Sequence, residues 1–167
     1  MADSRTVIGI DPGTAITGYG IIREEHSGDL VWVTHGAITT PSSWNEPERL
    51  LHLYQSLLSI IQEAKPDCCA VEQLFFQKNV KTAIKVGQGR GAALIAAAEI
   101  GLTVGEYSPL EIKQSVVGYG KADKNQVQQM VKLLLNLDEI PQPDDAADAL
   151  AVGICHLHST RRIQNTR

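Results

Sequence analysis

The sequence lacks any apolar run near the roughly 18 residues of a membrane-spanning helix; its longest candidates, such as residues 92–98, are far shorter. Asp3 and Arg5 stand where a signal peptide would be apolar, so none is expected. Cysteine is scarce: the three residues cannot form a disulfide framework, and no Cys-x-x-Cys pair offers half a zinc site. We therefore expect a protein of the reducing cytoplasm, with no membrane segment and no zinc.

Acidic residues outnumber basic ones by 19 to 15, and the resulting net charge of −4 by itself speaks against a nucleic-acid partner. A local basic patch can nevertheless bind DNA on an acidic protein. No acidic residue occurs between Glu72 and Glu99, and none follows Asp148. The basic residues in these two stretches are Lys78, Lys81, Lys85 and Arg90, then Arg161, Arg162 and Arg167.

Apolar residues and turn signals indicate how the chain is organised. They predict strands over 6–11, 19–22, 30–39, 68–72 and 102–107. They predict helices over 50–64, about 80–100, 109–117, 123–137 and 144–158, after a polar connector over 41–48. The order βββαβαβααα predicts an α/β fold, with a mixed five-stranded sheet flanked by helices. A single domain over 1–167 is expected, with its core over about 5–158 and a short basic C-terminal tail.

Three glycines, Gly87, Gly89 and Gly91, fall in the middle of the second predicted helix. Glycine weakens a helix by about 1 kcal/mol relative to alanine. The three residues therefore either lower the stability of this helix or allow another element to pack closely against it.

Two predicted strands end on an acid, Asp11 and Glu72, and neighbouring strands would bring these carboxylates together at one sheet edge. Asp145 and Asp148 share one face of the last helix, for which Asp144 competes. If that helix packs on the sheet, the acids would repel one another and raise one another's pKa unless a cation lay among them. Such oxygen ligands suit Mg²⁺ or Mn²⁺, and two ions about 4 Å apart would clamp a phosphodiester for in-line attack.

Simpler interpretations exist for some of these acids. Asp11 precedes Pro-Gly and could be a turn residue, while Asp144 and Asp145 could cap the last helix. Asp148 and Glu72 have small or apolar neighbours in the sequence, and an unpaired buried carboxylate is costly. These two acids favour the metal site.

A basic stripe lies beside an aromatic loop. Lys78, Lys81 and Lys85 follow at spacings of three and four, next to the loop that carries Phe75. This combination suits phosphate contacts and stacking on an unpaired base, although the lysines could also form a solvated helix face. The absence of neighbouring acids favours DNA, and we add Arg90 to this surface.

A second basic group flanks the glycine-containing turn over 118–120. It comprises Lys113, Lys121 and Lys124, which could reach the phosphate backbone. Taken alone, the turn is a weak indication of a phosphate-binding loop.

Five segments carry a resemblance: residues 9–13 (GIDPG), 71–75 (VEQLF), 85–90 (KVGQGR), 113–118 (KQSVVG) and 145–150 (DAADAL). In this order they resemble the RuvC family of Holliday-junction resolvases, over about residues 5–158. Each segment alone is only moderately specific, whereas five in register are a strong indication. The resemblance implies a ribonuclease-H-like fold and a homodimer that binds a four-way DNA junction and nicks two strands symmetrically.

The resemblance also implies roles for individual residues. The metal ligands would be Asp11, Glu72, Asp145 and Asp148, for one or two Mg²⁺ or Mn²⁺ ions. Some relatives carry His at the third position, and the extra Asp144 leaves the choice between the two neighbours open. Lys113 and Lys124 would lie near the scissile phosphate, and Phe75 would contact a base. RuvA and RuvB, the branch-migration proteins, are the implied partners.

Two other functions would account for parts of this sequence. The Asp-Pro-Gly-Thr segment at 11–14 looks like the first phosphate motif of actin-like and sugar-kinase ATPases. These ATPases need a second domain and a second phosphate motif, for which 167 residues leave no room. A non-catalytic junction-binding module on the same fold would be expected to have lost at least one of the four acids.

Overall fold

The computed structural model describes residues 4–73 and 79–165, with side chains up to residue 161. The strands there are β1 (Arg5–Asp11), β2 (Ile16–Glu24), β3 (Leu30–Thr39), β4 (Cys68–Glu72) and β5 (Thr103–Tyr107). The helices are α1 (Glu46–Ala64), α2 (Val80–Glu99), α3 (Pro109–Val117), α4 (Lys124–Leu134) and α5 (Asp144–Asn165). Their order is the βββαβαβααα order that the sequence predicts.

The five strands form one mixed sheet in the order β3-β2-β1-β4-β5, which confirms the predicted α/β architecture. The first three strands make an antiparallel meander, and β4 lies parallel to both β1 and β5. Helices α1 and α2 make the two parallel crossovers. Because β1 and β4 are parallel neighbours, their carboxyl ends, at Asp11 and Glu72, meet at the same edge of the sheet.

Both faces of the sheet are covered by helices. Val7 and Ile22 pack in one core with Leu150 of α5, to which α3 and α4 also contribute. Ile8 and Ile10 point to the opposite face, into a core shared with α1 and α2. This division follows from the strand period, because successive residues of β1 face opposite sides of the sheet.

Two glycines allow α5 to approach the sheet closely. A Cβ added at Gly9 would overlap the Ala149 carbonyl oxygen, and one added at Gly18 would overlap the Asp145 carbonyl oxygen. Gly18 pairs directly with Asp11 across β1 and β2. The contact at Gly18 therefore sets the first turn of α5 beside the end of β1.

The glycines of α2 do not interrupt that helix, which is continuous from Val80 to Glu99. Gly89 is buried, and a Cβ there would lie 3.0 Å from the carbonyl carbon of Gly13. Of the two expectations for these residues, close packing is therefore the one seen at Gly89, where α2 meets the turn after β1.

Three helix ends differ from prediction. Helix α1 begins at Glu46 rather than 50, because Asn45 and Glu48 form a capping box inside the segment predicted as a connector. Helix α4 ends at Leu134, and Asn136 beyond it adopts a left-handed conformation with φ 51°. Helix α5 continues past the predicted end at 158, to Asn165.

Cys68, Cys69 and Cys155 are buried in the core, and none of the three forms a disulfide bond. Within the part of the chain that the structure describes, no helix combines the length and the apolar character needed to cross a bilayer.

Candidate active site

Four carboxylates gather where the central parallel strands end. Asp11 is the last residue of β1, and Glu72 is the last residue of β4. Asp145 and Asp148 come from the first turns of α5, which the close contact at Gly18 holds over β1. The structure thus brings together the four acids that the sequence singles out.

Burial and mutual repulsion act on these carboxyl groups together. Burial raises the pKa of Asp11 to about 8, with further contributions from the other three acids, Asp148 first. Burial, followed by the charge of Asp148, also raises the pKa of Glu72. The pKa of Asp148 is raised chiefly by burial. A bound cation would relieve this repulsion and favour the ionised carboxylates.

Asp144 differs from its neighbour Asp145. Its Oδ2 lies 3.2 Å from Lys124 Nζ, and its Oδ1 accepts a hydrogen bond of 3.1 Å from Gln128 Nε2. The hydrogen bond with Lys124, followed by that with Gln128, lowers the pKa of Asp144. Asp145, by contrast, is one of the three acids whose charge raises the pKa of Asp11. The two neighbouring acids therefore face different groups.

Two lysines, Lys124 and Lys113, lie against the acids. Lys124 Nζ is 3.4 Å from Asp148 Oδ2 as well as close to Asp144. The charge of Lys113 acts to lower the pKa of Glu72, opposing the effect of burial. Both lysines line a cavity of about 180 Å³ together with Glu72 and Asp148.

The remaining predicted DNA-binding residues are more dispersed. Lys81 and Lys85 are exposed near the start of α2, and Lys121 is exposed in the turn before α4. Phe75 and Lys78 lie outside the described residues.

Arg90 alone among the basic residues of α2 lines a second cavity of about 380 Å³ with Asp11 and Glu72. One of its terminal nitrogens, Nη2, lies 2.5 Å from Oε2 of Glu106 on β5. The acid cluster is therefore flanked on one side by Lys113 and Lys124, and on the other by Arg90.

Sequence reasoning missed two residues of this site, Glu106 and Gln128. Gln128 is only 9% exposed, although it is polar. Its position between Val127 and Val131 on an amphipathic helix was a visible signal of burial. Glu106 interrupts an apolar strand, which was also visible, but its partner Arg90 depends on how α2 packs against β5.

Whether the acids fit a metal depends on their chemistry and their arrangement. Among residues 4–73 and 79–165, no three His, Cys, Asp or Glu side chains are arranged closely enough to hold an ion. Repulsion between carboxylates and the pull of Lys124 on Asp148 both act against such an arrangement. The donor set itself, four carboxylates with three raised pKa values, fits a hard divalent cation toward which the side chains would turn.

Asp11→Asn should stabilise the metal-free protein, increasingly so as the pH rises. Between about pH 4 and pH 8 the folded parent holds a proton on Asp11 that the unfolded chain releases. The free energy of unfolding of the parent therefore falls as the pH rises through this window. The variant cannot ionise at this position and avoids that loss. In EDTA, the melting temperatures of the variant and the parent should be equal near pH 4, and that of the variant should be several degrees higher at pH 8. Each kcal/mol in the free energy of unfolding shifts the melting temperature by about 2–4 °C.

Asp138→Asn removes the charge of an exposed carboxylate and serves as the control. Its melting temperature should follow that of the parent at every pH. If the difference in melting temperature between Asp11→Asn and the parent were the same at pH 8 as at pH 4, the raised pKa of Asp11 would be contradicted.

Comparison with known proteins places this site in context. The profile of the family described as "Crossover junction endodeoxyribonuclease RuvC" matches residues 7–156. The chain is 55% identical over 155 residues to the protein of that name from Syntrophomonas wolfei, with 93% of this chain and 90% of that one covered. It is 57% identical over 153 residues to the one from Alkaliphilus oremlandii, with 92% and 93% covered. Its structure is similar to that of Thermus thermophilus RuvC in complex with Holliday junction substrate, with TM-score 0.90, 34% identity and coverage of 95% and 96%.

Proposed function

The chain belongs to the RuvC family of crossover junction endodeoxyribonucleases, and from this premise we propose how it resolves four-way (Holliday) DNA junctions. Family membership makes it a junction-resolving endonuclease on a ribonuclease-H-like fold. The observation that carries the proposal is the cluster of four acids, partly buried and mutually repelling, where β1, β4 and α5 meet. We propose that the cluster in each of two protomers cuts one strand by phosphodiester hydrolysis, so that two strands are cut at symmetric positions.

The cleavage requires a divalent metal, which we propose is Mg²⁺, with Mn²⁺ as a substitute, as one or two ions per subunit. The residues that would hold it are Asp11, Glu72, Asp145 and Asp148. Such a metal would lower the pKa of a bound water and stabilise charge on the leaving 3′-oxygen. We propose Asp145 rather than Asp144 as a ligand, because Asp144 already forms an ion pair with Lys124 and accepts a hydrogen bond from Gln128.

The lysines supply positive charge from the protein itself. With Asp148 engaged as a ligand, Lys124 keeps Asp144 as its partner and stays beside the cluster. Lys113 lines the same cavity, close enough to Glu72 for its charge to act on that carboxylate. We propose that both ammonium groups bind the oxygens of the scissile phosphate and offset the negative charge that develops there.

A wider surface would hold the arms of the junction. We propose that Lys81, Lys85 and Lys121 contact the DNA backbone, together with Arg90 and Lys78. Phe75 would stack on a base that the junction leaves unpaired. Exposure of the first three lysines supports this assignment, and the acid-free stretch between Glu72 and Glu99 supports it further.

Lys81→Ala combined with Lys85→Ala should weaken junction binding without altering the folded state. Removing two phosphate contacts lowers the slope of log affinity against log salt by roughly 2, and affinity falls most at low salt. Mobility-shift titrations in EDTA at several salt concentrations measure both quantities. Lys132→Ala in α4 is the control. An unchanged slope in the double variant would remove these lysines from the DNA surface.

We propose that the enzyme is a homodimer, because a junction with two-fold symmetry offers two equivalent scissile bonds. The apolar groove between α1 and α2 is the face we assign to the second copy. It measures about 480 Å³, and its lining includes Leu51 and Ile95, which are 54% and 61% exposed. Ile84, 56% exposed, continues the same stripe along α2 beside Lys81 and Lys85. Pairing through α2 would thus place the basic residues of both protomers near one axis.

Ile95→Glu should convert the dimer to a monomer, because a carboxylate would be buried in an apolar contact. Sedimentation at micromolar concentration measures the change. Leu133→Glu places the same charge at a residue that is 71% exposed on α4, and this variant should remain dimeric. A dimer in the first variant, or a monomer in the second, would move the interface elsewhere.

We further propose that the enzyme works in the cytoplasm with RuvA and RuvB, the partners that family resemblance implies. The three buried cysteines form no disulfide, which is consistent with a reducing compartment.

The function is tested on a synthetic four-way junction and a matching linear duplex, each with Mg²⁺ or EDTA. Junctions with different sequences at a mobile core prevent a sequence preference from masking activity. Metal-dependent paired nicks in the junction alone are the expected result. Tight binding without nicks would make the protein a junction-binding module. The absence of both would reopen the ATPase alternative, which a nucleotide-binding test addresses.

A further inference from the structure

Arg90 differs from the other basic residues of α2 in its burial. Lys81 and Lys85 are exposed, whereas the side chain of Arg90 is only 18% exposed and lines the cavity that contains Asp11 and Glu72. It approaches the acids from the α1–α2 side of the sheet, whereas Lys113 and Lys124 lie with Asp148 on the α5 side. The guanidinium therefore forms part of the wall of the catalytic cleft.

Two contacts fix the position of Arg90. Its Nη2 donates a hydrogen bond of 2.5 Å to Oε2 of Glu106 on β5. The preceding residue, Gly89, packs so closely on Gly13 that an added Cβ would lie 3.0 Å from the backbone there. Since Gly13 follows Asp11 by two residues in the turn after β1, the helix backbone at Arg90 is held at a set position relative to that acid. The guanidinium is thus preorganised before any ligand binds.

The ion pair with Glu106 leaves this guanidinium incompletely bonded. Nε is enclosed and has no hydrogen-bond partner among the described residues, and Glu106 itself is 45% exposed. A partly buried cation with one solvated partner gains little stability, because desolvation offsets the attraction. A guanidinium has five N–H donors in a fixed fork that matches the oxygens of a phosphate. An anion in the cleft would bind the accessible nitrogens of this fork, and its charge would offset that of the enclosed guanidinium.

We propose that Arg90, positioned by Glu106, forms a second phosphate subsite, which binds a non-scissile phosphodiester of the strand being cut. The subsite rests on the proposed function, because it takes the acid cluster as the point of cleavage. The scissile phosphate lies with the acids and the lysines of the α5 side, and Arg90 holds the backbone on the α2 side. Glu106 is a positioning residue, since it acts through Arg90.

The test removes the charge of one phosphate at a time. Single methylphosphonates are placed at successive internal positions flanking the cleavage site, on both its sides, and a separate junction lacks its terminal 5′-phosphates. Cleavage rates are measured for the parent, Arg90→Gln, Arg90→Lys and Glu106→Gln, with Lys132→Gln in α4 as a control that removes a cation outside the DNA-binding surface. Thermal unfolding of each variant reports whether it is folded at the assay temperature.

On the unmodified junction Arg90→Gln should lower the cleavage rate about 10- to 100-fold, as expected for a hydrogen-bonded charge contact. Arg90→Lys should recover part of this loss. In the parent, a methylphosphonate at one internal position should lower the cleavage rate by a similar factor. The same modified junction should cause no further loss in Arg90→Gln and a smaller loss in Glu106→Gln. Lys132→Gln should leave the loss seen in the parent intact.

Two outcomes with Arg90→Gln would overturn the subsite. Every methylphosphonate could retain its full effect in Arg90→Gln, which would make Arg90 a structural residue. The coupling could instead appear with the terminal 5′-phosphates, which would identify a different ligand. Failure of the parent to cut the unmodified junction would sink the proposed function instead. If Arg90→Gln does not fold, Arg90→Lys and Glu106→Gln must carry the same position-specific coupling, and its absence in both refutes the proposal.

Discussion

Asp148→Asn should lower junction cleavage roughly 1,000-fold or more while leaving junction binding unchanged or tighter, since the variant loses a proposed metal ligand but keeps the shape of the side chain. Asp148 is partly buried, and its charge raises the pKa of both Asp11 and Glu72. Removing it lowers the negative potential that opposes the phosphate backbone. Cleavage with saturating Mg²⁺ and binding in EDTA are measured on the same junction.

Asp144→Asn provides a matched control one turn earlier on the same helix. Asp144 contacts Lys124 and Gln128, so its loss should slow cleavage only modestly, through a less well held Lys124. Asp11→Asn and Glu72→Gln should behave like Asp148→Asn. Should these three lose binding in step with cleavage, the acids would be structural. If Asp144→Asn is as inactive as Asp148→Asn while Asp145→Asn remains active, Asp144 rather than Asp145 is the metal ligand.

The sheet was predictable because its strands carry local signals. Val7 and Cys69 lie in short apolar runs that are bounded by turn residues. A helix rather than a hairpin turn precedes the second run, which favours a parallel orientation for β4. The same reasoning brought Asp11 and Glu72 to one edge, because each acid directly ends such a run. The start of α1 was predictable too: Asn45 with Glu48 is a capping-box pattern, but the surrounding polar residues were interpreted as a connector.

Other features depended on contacts that the sequence does not encode locally. Asp144 and Asp145 are adjacent, and only the packing of α4 shows which of them Lys124 and Gln128 occupy. The pairing of Arg90 with Glu106 likewise depends on how α2 lies against β5. The ligand and DNA-binding roles remain predictions, and so do Phe75 and Lys78, which fall outside the described residues.

Gly18→Ala should destabilise the protein by about 3 kcal/mol, the upper end for an inserted methyl group in a close-packed core, and lower its melting temperature by roughly 6–12 °C. The new Cβ would overlap the Asp145 carbonyl oxygen and lie 2.9 Å from the Ala146 nitrogen. These are backbone atoms, so relief requires α5 to move as a unit rather than a side chain to rotate. Because Gly18 pairs with Asp11, the movement would separate the acids of α5 from the end of β1.

This variant therefore links the packing of the fold to the chemistry of the site. Cleavage by Gly18→Ala should remain far below that of the parent even at a temperature where circular dichroism shows both proteins folded, since α5 carries two of the proposed ligands. Gly91→Ala adds the same methyl group in α2, where nothing of the same protomer lies within 4 Å. Because Gly91 lines the groove assigned to the second copy, this control is measured in the Ile95→Glu background, where it should be neutral or stabilising by up to about 1 kcal/mol. A Gly18→Ala variant with the melting temperature and activity of the parent would mean that α5 can shift freely over β2. The close contact at Gly18 would then have no part in holding the acids together.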